Sequence, residues 1–294
     1  MTRKNILCGG AIFFGILVLI FLFEIFFPID SHGKKSAVFI VKKGEGSSKI
    51  AKNLEEKKLI RSAPIFRFWV VVSGLSHTLK AGAYELSPSM NTARIAEKLA
   101  SGKVMREFIT IPDGWTLRDI ANEFERQKFF TAKEFLAYAK NLEGYVFPDT
   151  YQISRTQTLQ NIVDQMTQNF DAHFTKSLRE ETARQKKTIT QVVIMASILE
   201  KEVQTVQDKK IVAGILWKRI RNGMELQVDA SPETYKNRGL PTSPISNPGM
   251  NSIVATLYPM PSPYFYYLSK KDGTTVYSIT LEEHNAARAK YLSH

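Results

Sequence analysis

The hydrophobic pattern changes character four times along the chain. Residues 6–23 carry no charge, and apolar residues resume after Glu24 as far as Phe27. A helix rising ~1.5 Å per residue over that length crosses a hydrocarbon core of ~30 Å. The pattern therefore predicts a single transmembrane helix over residues 6–27. Residues 1–5 would form a cytoplasmic tail, and the body would lie outside the cytoplasm. Arg3 and Lys4 precede the run and Lys34 and Lys35 follow it, so the charge bias is modest. Phe-Phe-Pro-Ile-Asp at the end of the run offers no small-x-small cleavage site, which favours a retained anchor over a removed signal peptide.

Next comes a strand-turn-helix pattern that recurs. Ala37–Val41 alternates as a strand, Lys43-Gly44-Glu45-Gly46 turns, and Ser47 or Ser48 caps a helix with Ile50, Ala51 and Leu54 on its apolar face. The second copy has Ile109–Ile111 as strand and Pro112-Asp113-Gly114 as turn. Its cap is Thr116, and Ile120, Ala121 and Phe124 are its apolar positions. A looser copy lies between them, from Tyr84-Glu85-Leu86 through Ile95, Ala96 and Leu99 to a stop at Gly102.

The third change is a helical pattern over Val192–Val206. Val192, Met195, Ala196, Leu199, Val203 and Val206 fall on one stripe. Glu200 and Glu202 lie on opposite edges of it, diverging by ~200° at ~100° per residue. On periodicity alone both read as surface residues flanking a core stripe. A carboxyl held against an apolar wall, however, has its charged form disfavoured, which suits a general acid. Glu202 has the more apolar neighbours. The last change is alternation over Tyr264–Ser269 and Thr275–Thr280, which predicts two strands.

Composition adds constraints. A net charge of +12 favours an anionic partner. The charge is spread along the chain and no nucleic-acid motif accompanies it, so no nucleic-acid partner is expected. The one cysteine, Cys8, permits no internal disulfide and no thiolate metal site, and the five histidines show no ligand spacing. Neither metal nor cofactor is expected.

Five stretches occur in the order of one known family: Glu143-Gly144-Tyr145-Val146-Phe147-Pro148-Asp149-Thr150-Tyr151, Ala196–Glu202, Leu226-Gln227-Val228-Asp229, Gly239-Leu240-Pro241 with Pro244-Ile245-Ser246-Asn247-Pro248-Gly249, and Glu282-Glu283-His284-Asn285. Together they resemble the endolytic murein transglycosylases of the MltG (YceG-like) family. The resemblance implies an α+β protein with an N-terminal transmembrane helix. A LysM-like small α+β region would span 36–140, and a mixed α+β catalytic domain 141–294. It implies a single-pass protein of the cytoplasmic (inner) membrane. Such a protein cleaves the β-1,4 bond between N-acetylmuramic acid and N-acetylglucosamine in nascent peptidoglycan strands and leaves 1,6-anhydro ends. Peptidoglycan synthases are the implied protein partners.

The family's catalytic glutamate aligns with Glu202, with Glu200 as the alternative acid. Glu143, Tyr145, Asp149, Tyr151, Gln227, Asp229 and Asn247 are the implied substrate-binding set. Of these, Gln227 and Asp229 would sit on a strand, and Asn247 in a loop-shaping position. His284-Asn285 reads as a structural element. One departure stands out: Ala230 and Ser231-Pro232 follow Asp229 at once, where the family carries some further loop. Two other functions compete with the lyase reading: a hydrolytic muramidase and a non-catalytic peptidoglycan-binding scaffold.

Overall fold

The computed structural model describes residues 3–31, 36–270 and 272–292, with side chains described from Phe13 onward in the first stretch. The chain divides into two compact units. One comprises residues 1–108 with 152–157, and the other 109–151 with 158–294.

In the first unit, helix α1 spans Arg3–Phe26. Strands β1 (Ala37–Val41) and β2 (Gly82–Leu86) pair antiparallel, with Phe39 opposite Tyr84. Phe39 and Val41 turn inward while Val38 and Ile40 stay exposed, as a sheet covered on one face requires. Helices α2 (Ser47–Glu56), α3 (Ala63–Val72) and α4 (Thr92–Ser101) cover that face through Leu54, Phe66, Ile95 and Leu99. Ser62 caps α3, Asn91 caps α4, and Gly102 ends α4 in the left-handed conformation at φ +69°. Helix α2 follows Gly46 with no side-chain cap, so neither serine serves as expected.

The end of α1 is fastened to this unit. Ile25 is buried, and Thr92 Oγ1 and Asn91 Nδ2 donate to the carbonyls of Glu24 and Phe26 at 3.0 and 3.1 Å. The Arg61 guanidinium donates to the carbonyls of Phe27 and Pro28 at 2.8 and 2.5 Å. The expected membrane span, residues 6–27, lies partly outside the described side chains. Among the described residues no helix is long and apolar enough to cross a membrane.

The first and the intermediate strand-turn-helix copies thus pair with each other. The second copy belongs to the other unit, which begins at Ile109. Strands β3 (Glu107–Thr110) and β4 (Thr150–Ile153) form a two-stranded sheet. Helix α5 (Leu117–Arg126) starts at a Thr116/Asp119 capping box and packs on α6 (Ala132–Tyr138), which has its own box at Thr131/Glu134.

The second unit continues with α7 (Leu159–His173) and α8 (Lys176–Arg184), and is built around α9 (Ile189–Glu202). Every residue of α9 from Val192 to Leu199 is buried, so the expected stripe is in fact a helix enclosed on all sides by α8, α10 (Val206–Arg221) and α11 (Met250–Leu257). The expected continuous helix to Val206 is two helices. Val203 is extended (φ −143°, ψ 148°), and Thr205 accepts from Asp208 N to begin α10. Glu202 is therefore the last residue of its helix.

Leu226–Asp229 is not the expected strand. A single bridge joins Glu225 to Arg238, and Gln227 sits at φ +50°. A 3-10 turn, Pro232–Tyr235, follows directly. Strands β5 (Tyr266–Ser269) and β6 (Thr275–Ser278) form a hairpin pairing Tyr267 with Tyr277, against which α12 (Leu281–Leu292) lies without burying any residue.

Candidate active site

The two glutamates at the end of α9 have different fates. Glu200 is 8% exposed and meets the equally buried Lys209 at 2.7 Å. Its second oxygen accepts from Gly249 N at 3.0 Å and Ser252 Oγ at 2.7 Å. This carboxylate ties α9 to α10 and α11 and has its lone pairs engaged. Asp113 approaches the same corner. A Cβ on Gly249 would stand 2.2 Å from its Oδ2, so only glycine fits there. Burial raises the Asp113 pKa, the nearby Glu200 charge raises it further, and Lys209 opposes both.

Glu202 faces an open cleft of ≈ 310 Å³. Its carboxylate accepts from Ala230 N and from Tyr267 Oη, both at 3.1 Å. Burial pushes its pKa above the ordinary glutamate value. Asp229 acts in the same direction, and the donors at Ala230 and Tyr267 pull the other way without cancelling the rise. The carbonyl end of α9 also disfavours negative charge at this position. The Glu202 carbonyl is held by Ser269 Oγ at 2.9 Å, which fixes the helix end against β5.

The surroundings hold this acid in place. Tyr267 is half-buried and its pKa lies well above the usual tyrosine value, chiefly through burial of the phenol, so it remains a donor. Tyr235 Oη donates to Asp229 Oδ1 at 2.5 Å, and burial with that bond lifts the tyrosine to about 12. Arg219 is spent on structure, donating to the carbonyls of Phe265 and Leu226 at 2.8 and 2.6 Å. Gln227, His284, Asn285 and Arg288 also line the cleft. His284 stacks on Tyr266 at 5.4 Å, and burial followed by Arg288 and Arg219 lowers its pKa. Its buried Nδ1 has no hydrogen-bond partner among the described residues.

Of the residues expected from sequence, Glu202, Asp229 and Gln227 are brought together in this cleft. Glu143, Tyr145, Asp149, Tyr151 and Asn247 are not; they brace the fold. Asn247 is fully buried. Its Oδ1 accepts from Gly144 N and Val146 N at 2.9 and 3.1 Å, and its Nδ2 donates to Trp115 O and Glu143 Oε1 at 2.9 and 3.0 Å. Glu143 accepts from Leu117 N at the start of α5, and burial raises its pKa. Tyr151 is 3% exposed and donates to Phe147 O at 2.6 Å. Asp149 accepts from Asn169 Nδ2 at 2.9 Å, and Tyr145 donates to Thr190 Oγ1 at 3.1 Å while packing edge-on against Phe170.

Sequence reasoning missed Tyr267, Tyr235 and Arg288, and gave His284 and Asn285 a structural role although both line the cleft. The available signal was strand alternation. It places one of the adjacent Tyr266 and Tyr267 inward, where a phenol needs a partner.

A largely desolvated carboxyl with a second carboxylate beside it, set at a helix end in an open cleft, has the chemistry that general acid–base catalysis requires. The chain belongs to the YceG-like family, whose profile matches residues 39–233 and 232–290. The two matched stretches meet in the short connection after Asp229. The chain is 28% identical to the endolytic murein transglycosylase of Bacillus subtilis, over 98% of this chain and 92% of that protein. It is 25% identical to the endolytic murein transglycosylase of Streptococcus pneumoniae, over 90% of this chain and 60% of that protein. The crystal structure of a YceG-like protein from Listeria monocytogenes superposes with a TM-score of 0.56 at 32% identity, covering 86% of this chain and 99% of that one.

Proposed function

We propose that this protein is a peptidoglycan lytic transglycosylase in which Glu202 is the catalytic acid and base. The observation that carries this reading is the raised pKa of a mostly desolvated Glu202 facing an open cleft. Glu200, paired with Lys209 and two donors, is committed to structure. The relatives' names supply the substrate class.

In this scheme Glu202 first donates its proton to the glycosidic oxygen, and the C1–O bond breaks. The resulting carboxylate then takes the proton from the C6 hydroxyl of the muramic residue as that oxygen bonds to C1. The product is a 1,6-anhydro end, no water is consumed, and the acid is regenerated. One well-placed carboxyl suffices, unlike the two carboxyls of most glycosidases. In this reading Asp229 and Gln227, which line the same cleft, hold sugar hydroxyls beside it.

The reading extends to location. Helix α1 is 24 residues long, about 36 Å at ~1.5 Å per residue, and its sequence is apolar from Ile6 to Phe23. We assign it as a single-pass anchor in the cytoplasmic membrane, with the body extracytoplasmic and near the peptidoglycan synthases. The LysM-like first unit is assigned to glycan binding.

The test uses the full chain in detergent with uncrosslinked glycan strands, with and without Glu202→Gln, and mass spectrometry of the new ends. Anhydro-muramic ends that vanish in the variant are expected. Reducing ends would mean hydrolysis instead. Bound but uncut strands would mean a scaffold.

A further inference from the structure

We propose that α3 lies in the outer leaflet of the membrane beside α1, so that the first unit sits partly immersed in lipid rather than hanging from a free tether. The proposal rests on the reading of α1 as an anchor and goes beyond it.

The argument is one of length. Were the hydrocarbon core to end before Phe21, residues 6–20 would span only ~22 Å, short of the ~30 Å required. Residues from Phe21 toward Phe27 therefore have to lie within the membrane. Two of them are in contact with α3. The Phe21 ring meets Phe68 edge-on at 5.2 Å, and Phe26 meets Trp69 edge-on at 5.6 Å. The end of α1 cannot swing away, because Thr92, Asn91 and Arg61 bind its last carbonyls. Whatever depth Phe21 reaches, Phe68 reaches too.

The outward face of α3 suits that environment. Phe68, Val71 and Val72 are 57%, 64% and 63% exposed, and with Pro64 they form one stripe at i, i+4, i+7 and i+8. In water such a face wastes apolar burial, whereas next to the exposed side chains of α1 it extends a single apolar surface. Two polar groups fall where the boundary would be, while Arg67, exposed beside Phe68 on α3, and Glu24 on α1 would have to reach toward it. Trp69, packed between the core of the unit and Phe26, lies at the level of that ring. Arg61 sits 5.1 Å above the Phe23 ring with its guanidinium at the carbonyls of Phe27 and Pro28, a snorkelling geometry. Lipid is thus the occupant that both the depth of α1 and the chemistry of the face select.

The test is quenching of tryptophan emission. The full-length wild type and Trp69→Phe are reconstituted in phosphatidylcholine vesicles whose upper acyl chains are brominated or not. Trp69 is expected to lose on the order of two-fold in emission in brominated vesicles, an effect absent from Trp69→Phe. Phe68→Trp, made in the Trp69→Phe background at an exposed position, is expected to restore quenching. Alkaline extraction of the same vesicles separates the two readings. A chain that stays with the membrane but shows no quenching at 69 or 68 overturns the immersion of α3 and leaves the anchor standing. A chain released by alkali overturns the anchor and the immersion with it.

Discussion

Replacing Lys209 with methionine isolates the ion pair under the site. Methionine conserves most of the volume and removes the charge. Glu200 would then remain 8% exposed with only Gly249 N and Ser252 Oγ as donors. Asp113, whose pKa Glu200 already raises, would lose the cation that offsets it. Breaking one side of a buried pair costs about 3–5 kcal/mol, because the orphaned charge stays out of water. A domain of about 150–250 residues loses roughly 2–4 °C per kcal/mol, so the transition of the second unit should fall by about 6–20 °C. Calorimetry on the full chain reads this directly. The double variant Glu200→Gln/Lys209→Met should recover most of the loss, since a buried pair replaced by neutral groups is close to neutral in stability. A single variant within about 1 kcal/mol of wild type, or a double variant as unstable as the single, would refute the claim that Glu200 is held by Lys209 rather than free for chemistry.

Glu202→Gln should behave oppositely. A glutamate whose pKa is raised on folding contributes stability that is full below the unfolded value near ~4.3 and lost as pH rises through the folded value. The Gln variant should thus match wild type in acid and exceed it in stability near neutrality in urea titrations, while cleaving nothing. Tyr267→Phe removes a donor that favours the carboxylate, so the alkaline limb of the activity profile should move to higher pH. Asn247→Ala leaves Gly144 N and Val146 N without their buried partner, at about 1–3 kcal/mol each before relaxation, and should lower the urea midpoint strongly, while Trp115 O keeps the main-chain N–H of residue 247.

Local pattern carried much of the fold. The strands at Ala37–Val41 and Tyr84–Leu86, the cap at Thr116 and the stop at Gly102 follow from alternation and turn chemistry that act within a few residues. The ~200° divergence of Glu200 and Glu202 also follows from helical geometry, and the two carboxylates do meet different neighbours. What periodicity could not reach was anything joined across the chain. The Glu143–Tyr151 stretch reads as sugar-binding because its side chains are acids and phenols, yet its partners, Asn247 and Asn169, lie far along the chain. Leu226–Asp229 alternates like a strand, but Gln227 takes a left-handed conformation to bring Val228 N onto Thr234 Oγ1. Tyr267 reaches Glu202 only because two distant segments converge.

The donor at Ala230 is a main-chain amide. Every non-proline residue supplies one, so the identity of the side chain there is immaterial to the acid it steadies. Such an arrangement makes the connection after Asp229 a natural splice point. Its length can change without altering the bond that the main chain gives to Glu202, provided an N–H stays at that position.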